Sequence, residues 1–331
     1  MPTTIKLMNW NIEQFGESRA AREGTYQRIA QIINNNTPDL ISVIELKTQI
    51  PATAVDIANT LLQHMPGKYR YILSYQNLLE MYLFIYDSSK LVPLCLPCGI
   101  TQVVNNGFQG LAFHLADGLS TTLDPNNPEI LCNYFPLMEH SNRDTRPPAA
   151  GFFQLKDRPA DFFALLAWHN AAGKYLHDQQ ITIEKLPVSE MRDMSRTDYI
   201  QNGFRVPTAN GILNIPHVIL SGDFNVDYLG HNQNVYRDFA GYTTALIQPG
   251  QKTHLHTYDP ANNAVYTTSQ SLRSAILDNF IIKNSIQFSN PSVYDIPNYL
   301  KTSNPVLKKS FRQTWAGSQK GMKKRTRTRV S

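Results

Sequence analysis

Short apolar runs enriched in β-branched and aromatic residues recur along the chain: "TIKLMNWNI", "DLISVIEL", "YRYILSY", "MYLFIY", "AGFFQL", "DFFALLAW", "HVILSGDF" and "AILDNFIIK". Their length and composition predict strands. Two early segments carry a helical period instead. "SRAAREGTYQRIAQIINNN" opens on Ser18 as an N-cap and puts Ile29, Ile32 and Ile33 on one face, and "ATAVDIANTLLQHM" repeats Val55, Ala58, Leu61 and Leu62. Many strands with few helices between them predict an α+β protein in which two packed sheets carry helices on their outer faces. Two Pro-, Asn- and Gly-rich regions, residues 99–142 and 173–215, exceed ordinary connection lengths and are predicted to form surface loops and short helices around a site.

Several of these runs end on polar residues. In "KLMNWNIEQF", Asn9, Asn11 and Glu13 alternate with Trp10 and Ile12, so a period of two sends the three polar side chains to one side. "PDLISVIEL" closes on Glu45, "FFALLAWHN" on His169, "HVILSGDFN" on Asp223 and Asn225, and Asp278 interrupts "AILDNFII". Each alone is compatible with a turn cap or a structural histidine. Together they predict one rim. Carboxylates and carboxamides offer oxygen ligands to a hard cation such as Mg²⁺, and a histidine moves protons near neutral pH.

Composition adds bounds. The 331 residues are 42% hydrophobic and 17% charged, enough for a sizeable core. No run approaches the roughly 20 apolar residues of a membrane span, and the N-terminus shows no signal-peptide pattern, so the expected location is the cytoplasm or export by a route without a signal peptide. Three cysteines, Cys95, Cys98 and Cys132, write no disulfide framework. The net charge of +5 is unevenly spread: ten of the 31 basic residues and none of the 26 acidic ones follow Asp295, leaving 21 basic against 26 acidic groups before it. The tail, with Lys320, Lys323, Lys324, Arg325, Arg327 and Arg329, is therefore a basic arm suited to nucleic-acid phosphates, or to solubilising or localising the chain.

"MNWNI", "PDLISVIEL", "WHN", "SGDFN" and "ILDNFII", in that order, resemble the endonuclease/exonuclease/phosphatase family over about residues 4–283. "LLEMYLFIYDSSKLVPL" and "RPPAAGFFQL" further resemble its deoxyribonuclease I and cytolethal distending toxin nuclease branch. The resemblance implies a four-layer sandwich of two mixed sheets flanked by helices, a catalytic domain over residues 1–306 and a tail over 307–331. It implies that Glu45 and Asn11 hold a divalent metal, Mg²⁺ or else Mn²⁺ or Ca²⁺, with Asp223 beside them. His169, oriented by Glu80, would protonate or bind phosphate, and Asp223 and Asn225 would hold the attacking water or a second cation. Arg146 would grip a phosphate oxygen and Asp278 would orient a second histidine. DNA is the implied partner and endonuclease cleavage the implied activity, in the setting of a toxin or effector among others, with any cognate inhibitor unknown. A phosphatase or phospholipase of the same fold, and a noncatalytic phosphate-binding module, are the alternatives.

One departure matters. The family ends in Ser-Asp-His, whereas this chain has no histidine after His256, and "TSNPVL" at Ser303 and Asn304 is the nearest remnant. Three alternatives stand: the base is lost, Asp278 or metal-bound hydroxide replaces it, or His254 or His256 of "KTHLHTYDP" does.

Overall fold

The structure, a computed structural model, describes residues 4–47, 51–74, 80–93, 98–105, 108–115, 130–131, 148–170, 185–208, 211–248, 277–287 and 291–292, and short strand segments within 253–275. In chain order the elements are β1 (Leu7–Phe15), α1 (Glu17–Ala20), α2 (Thr25–Asn36), β2 (Leu40–Leu46), α3 (Pro51–Gln63), β3 (Tyr69–Ser74), β4 (Met81–Asp87) and β5 (Leu91–Pro93). There follow β6 (Cys98–Asn105), β7 (Phe108–Leu115), β8 (Ile130–Leu131), β9 (Ala149–Leu155), β10 (Arg158–His169), α4 (Lys185–Ser195), α5 (Asp198–Asn202), β11 (Phe204–Thr208) and β12 (Gly211–Ile215). The remainder comprises β13 (His217–Asp223), a 3-10 turn (Gln233–Asp238), β14 (Tyr242–Thr244), β15 (His254–Leu255), β16 (Tyr258–Asp259), β17 (Ala264–Val265), β18 (Arg273–Ala275) and β19 (Asp278–Lys283).

Two mixed sheets result. One runs β1-β2-β4-β3-β8 and the other β14-β19-β13-β10-β9-β5. Both lie in the first of two compact units, Met1–Ile247 with Ile276–Pro291; in the second, Gln248–Ala275 with Ser292–Ser331, the described residues form the pairs β15/β18 and β16/β17. Among the described residues no helix is long and apolar enough to cross a membrane.

Strand alternation sorts the apolar residues into three layers. Leu40, Ile44, Phe84 and Tyr86 of the first sheet meet Phe153, Phe163, Leu165, Ala167, Ile219 and Ile282 of the second. Ile41, Val43 and Leu46 turn the other way, against Ile29 and Ile33 of α2 and Ala58 and Leu61 of α3. Leu166, Trp168, Val218 and Leu220 pack against Met191 and Met194 of α4, Ile200 of α5 and Val235. The order is therefore helix, sheet, sheet, helix. Burying a side chain of Phe or Leu size contributes roughly 1.5–3 kcal/mol, so each layer supplies many times the stability of any single hydrogen bond.

The far ends of these strands, away from the polar rim, close on paired charges. Asp39 is met by Lys90 at 2.8 Å and Asp87 by Lys68 at 2.7 Å, with both carboxylates buried and both ammonium groups reaching solvent. Tyr69 donates its hydroxyl proton to the Pro38 carbonyl at 2.8 Å in the same region.

Two expectations are corrected. The first helical segment is broken: Ser18 lies inside the short α1 rather than capping a long helix, because the chain turns at Gly24, whose φ of 71° lies in the left-handed region that glycine adopts at little cost, and α2 begins at Thr25. The described parts of 99–142 and 173–215 contain the expected short helices, α4 and α5 over residues 185–202, but also strands where loops were expected, since β6 pairs with β7 and β11 with β12 as antiparallel hairpins. Polar residues interspersed in these segments, such as Thr101, Gln102 and Asn105 in β6, blur the periodicity that would reveal a strand.

Candidate active site

The layer between the sheets explains the rim. The sequence positions facing the opposite sheet run 7, 9, 11 in β1, 40, 42, 44 in β2, 82, 84, 86 in β4, 163, 165, 167, 169 in β10, 219, 221, 223 in β13 and 278, 280, 282 in β19. Continued to the end of each strand, that face delivers Asn11, Glu80, His169, Asp223 and Asp278. The alternation that builds the core thus carries polar groups once the strands pass its edge.

Glu45 needs a further device. Regular alternation from Ile41 and Val43 would point residue 45 at the helices, yet it is Leu46 that packs there. The register of β2 against β4 shifts between Val43 and Leu46, that of β1 against β2 shifts between Asn11 and Phe15, and Glu45 has φ 64°. It is the extra residue of a bulge, which re-aims one side chain without disturbing the layers on either side.

The geometry is compact. Asn11 Nδ2 donates to Glu45 Oε1 at 3.0 Å and to Asp223 Oδ2 at 3.1 Å, joining carboxylates from opposite sheets. His169 Nδ1 pairs with Glu80 Oε2 at 2.9 Å, and its Nε2 faces Glu45 Oε1 at 3.4 Å. An ionised carboxylate only accepts, so Glu80 assigns a proton to Nδ1 and fixes the plane of the ring. The backbone N–H of His169 donates to the Tyr82 hydroxyl at 3.3 Å. His169 and Asp223 are direct partners in the parallel β10/β13 ladder, and Asp223 and Asp278 in the antiparallel β13/β19 ladder. Glu45, His169 and Asp223 are buried to 9%, 5% and 8% exposure, which strengthens their mutual electrostatics relative to water.

The turn after β13 is held as firmly. Asn225, at φ 51°, donates its backbone N–H to Asp223 Oδ1 at 2.9 Å and its Nδ2 to the Asn170 carbonyl at 2.8 Å. Asn170 in turn bonds the carbonyls of Phe224 and Pro187 at 2.8 and 2.9 Å. Gly222 lets the two strands close up: a Cβ there would lie 1.8 Å from the Trp168 carbonyl oxygen, and its φ is 152°. Tyr236 donates to the Val226 carbonyl at 2.7 Å. Burial first, and then the negative charges of Asp223, Asp227 and Asp278, push its phenol well above the ordinary range, so it remains a donor.

The structure therefore brings Asn11, Glu45, Glu80, His169, Asp223 and Asn225 together, with Asp278 across the ladder from Asp223. Arg146, the tail residues Lys320, Lys323, Lys324, Arg325, Arg327 and Arg329, and Ser303, Asn304 and His256 lie outside the described residues. His254 begins β15 in the second unit. Sequence reasoning assigned no role to Tyr82, Asn170, Ser42 or Ser221. For Ser42 and Ser221 the signal was present, as a serine within an otherwise apolar strand.

Among the described residues no three His, Cys, Asp or Glu side chains form a ready-made cation cage. Mg²⁺ asks for less, since it keeps several waters and takes one or two carboxylates. Glu45 and Asp223 suit it, because their oxygens reach one and the same nitrogen of Asn11 and so can face a single positive centre.

No family model matches the chain, and no curated protein matches it. Similar solved structures include an endonuclease/exonuclease/phosphatase family protein from Bacteroides thetaiotaomicron, with 14% identity over 86% of this chain and 85% of that one and a TM-score of 0.48. The mannosyl-6-phosphatase of Bacteroides thetaiotaomicron shares 15% identity over 85% and 86%, with a TM-score of 0.45. TDP2 of D. rerio, complexed with single-strand DNA product, shares 14% identity over 84% and 83%, with a TM-score of 0.44.

Proposed function

We propose that this chain is a divalent-metal-dependent phosphodiesterase that cleaves DNA internally. One observation carries the reading: two carboxylates from different sheets, Glu45 and Asp223, converge on a single amide nitrogen beside an imidazole that a third carboxylate, Glu80, holds in place. Such a set serves phosphoryl displacement, in which charge builds on phosphorus and a leaving oxygen needs a proton.

Glu45 and Asp223 would hold Mg²⁺ beside the carboxamide of Asn11, and the ion when bound would neutralise phosphate charge. Water attacks phosphorus, forming one P–O bond as the P–O bond to the leaving oxygen breaks. His169 would give a proton from Nε2 to that oxygen, while its Nδ1–H stays donated to Glu80. The proton of the attacking water would pass to Asp278, the ladder partner of Asp223. Asn225, fixed by Asp223 and Asn170, presents its carboxamide at the same edge. Arg146 and the basic tail would add phosphate contacts.

Nicking of supercoiled plasmid tests the reading, with Mg²⁺, with chelator, and in Asp223→Ala and His169→Ala. Metal-dependent nicking lost in both variants is the expected result. Nicking that survives chelation and both substitutions would overturn it. Turnover of inositol phosphate or sphingomyelin without nicking would move the substrate to a phosphatase or phospholipase, and DNA binding without any turnover would make the chain a binding module.

A further inference from the structure

Beneath the rim runs a second polar set that the chemistry above does not use. Asn9, Ser42 and Ser221 lie on the inter-sheet faces of β1, β2 and β13, and both serines are fully buried. Ser42 Oγ stands 3.0 Å from Asn9 Oδ1 and 2.8 Å from Ser221 Oγ, and Ser221 Oγ lies 3.2 Å from the carbonyl oxygen of Leu166 in β10. Nearby in the same layer are Ile44, Leu165, Ala167 and Ile219, all apolar. The strands so linked, β1, β2, β13 and β10, are the four that carry Asn11, Glu45, Asp223 and His169. In β1 and β13 the linking residue stands two positions before the rim residue, on the same face; in β2 and β10 it stands three positions before.

Proton counting gives the chain a direction. Three contacts need three protons, and two hydroxyls supply two. With Oδ1 toward Ser42 the Asn9 carboxamide adds none, and its Nδ2 is buried without a hydrogen-bond partner among the described residues. Turning the carboxamide over supplies the third proton and gives Nδ2 a partner, leaving Oδ1 in the buried position that Nδ2 held, since the two ends are nearly equal in size. Asn9 Nδ2–H then donates to Ser42 Oγ, Ser42 O–H to Ser221 Oγ, and Ser221 O–H to the Leu166 carbonyl.

We propose that Asn9, Ser42 and Ser221 are positioning residues, a one-way hydrogen-bond relay that sets the spacing of the two sheets one layer below the rim. Apolar carbons approach no nearer than about 3.5–4.0 Å, whereas the two hydroxyl oxygens stand at 2.8 Å. The relay therefore draws the sheets closer than an apolar pair would, and that closeness lets Asn11 reach Glu45 and Asp223 at once. This rests on reading the rim as a metal and phosphate site, but the geometric claim can be tested without metal.

Selective ¹⁵N labelling of asparagine in the full chain supplies the test. In the unsubstituted, metal-free protein, an Asn9 side-chain proton is expected to exchange slowly and to show a through-space contact with the Ser42 side chain. A freely exchanging Asn9 amide with no such contact would overturn the relay's direction. Ser42→Ala and Ser221→Ala should each move the Asn11 side-chain resonances, while Ser195→Ala, a buried serine on α4 outside the relay, should not. Unmoved Asn11 resonances in both folded variants would overturn the positioning role, and if one variant does not fold the other decides. Mn²⁺ affinity by calorimetry should fall about tenfold in each single variant, and no further than about twofold more in the double, because one broken link disables the relay. Additive losses in the double would also overturn it. Failure of the unsubstituted protein to bind Mn²⁺ would instead count against the proposed function and leave the resonance result to judge the relay.

Discussion

Glu80 Oε2 lies 2.9 Å from His169 Nδ1, across a span of 89 residues. The carboxylate comes from the residue before β4 in one sheet and the imidazole from the end of β10 in the other, so their pairing exists only when the two sheets are stacked. That dependence orders a pair of variants. His169→Ala should lower turnover by about 10²–10⁴-fold. Glu80→Gln preserves a hydrogen-bond acceptor but not the charge and should fall between His169→Ala and the unsubstituted protein. Plasmid-nicking rates under saturating metal measure both, and a Glu80→Gln rate below that of His169→Ala would contradict the ordering.

Glu45 holds its place at φ 64°, a conformation that costs an ordinary L-residue roughly 1–2 kcal/mol and asparagine less. Glu45→Asn is therefore expected to raise stability by about 1 kcal/mol while abolishing metal-dependent cleavage. Thermal unfolding and nicking assays on one preparation show whether the two effects separate.

Gly222→Ala should do the reverse of a tolerated change. A methyl placed 1.8 Å from the Trp168 carbonyl must push β13 off β10, parting His169 from Asp223. A loss of about 3 kcal/mol or more is expected, at the severe end for single substitutions. A urea midpoint near that of the unsubstituted protein would show that the strands separate easily.

At the opposite end of the strands the charges give stability two pH limits. Burial raises the Asp87 carboxyl, but hydrogen bonds from Lys68 and Ser89 outweigh it and hold the group below the usual carboxylate range. A depressed folded value contributes stability that is present above the unfolded pKa of about 3.9 and is lost as pH falls through it toward the folded value. Burial, then the charges of Asp87 and Asp39, push the Tyr69 phenol up to about 12. A raised folded value contributes stability present below the unfolded value of about 10 and lost as pH rises toward the folded one. Asp87→Asn should therefore narrow its stability gap to the unsubstituted protein between pH 7 and pH 3, and Tyr69→Phe should remove part of the alkaline loss, both followed by urea titration.

Removal of residues 307–331 should weaken DNA binding and flatten its salt dependence. Each phosphate that the tail no longer neutralises reduces the slope of log affinity against log salt by about 0.9. Binding isotherms across a range of salt concentrations, with and without the tail, are the measurement; identical slopes would take the arm out of DNA binding.

The strands and the rim were legible because burial and alternation write them directly. "LISVIEL" and "VILSGDF" are apolar, Ser42 and Ser221 apart, where they cross the core and polar where they leave it. What alternation conceals is any local exception to itself. Glu45 sits on the wrong parity for the site, and only a bulge brings it in. The break before α2 turns on one glycine inside a strong helical period. Tyr82 and Asn170 were illegible for a different reason: a tyrosine in an apolar strand reads as core, and an asparagine after a histidine reads as a turn, until the partner strand places a backbone N–H or carbonyl opposite it.

The turn between β4 and β5, at Ser88–Lys90, divides more than two strands. Apart from the two-residue β8, the first sheet is made entirely from residues before it and the second entirely from residues after it. Asn11, Glu45 and Glu80 belong to one fragment, His169, Asp223, Asn225 and Asp278 to the other. A chain severed at that turn would yield two pieces, each holding an incomplete set of reactive groups and one exposed apolar surface that fits the other. Reassociation of the pieces would restore cleavage and close the core in the same event, so recovered nicking would report the joining of the halves.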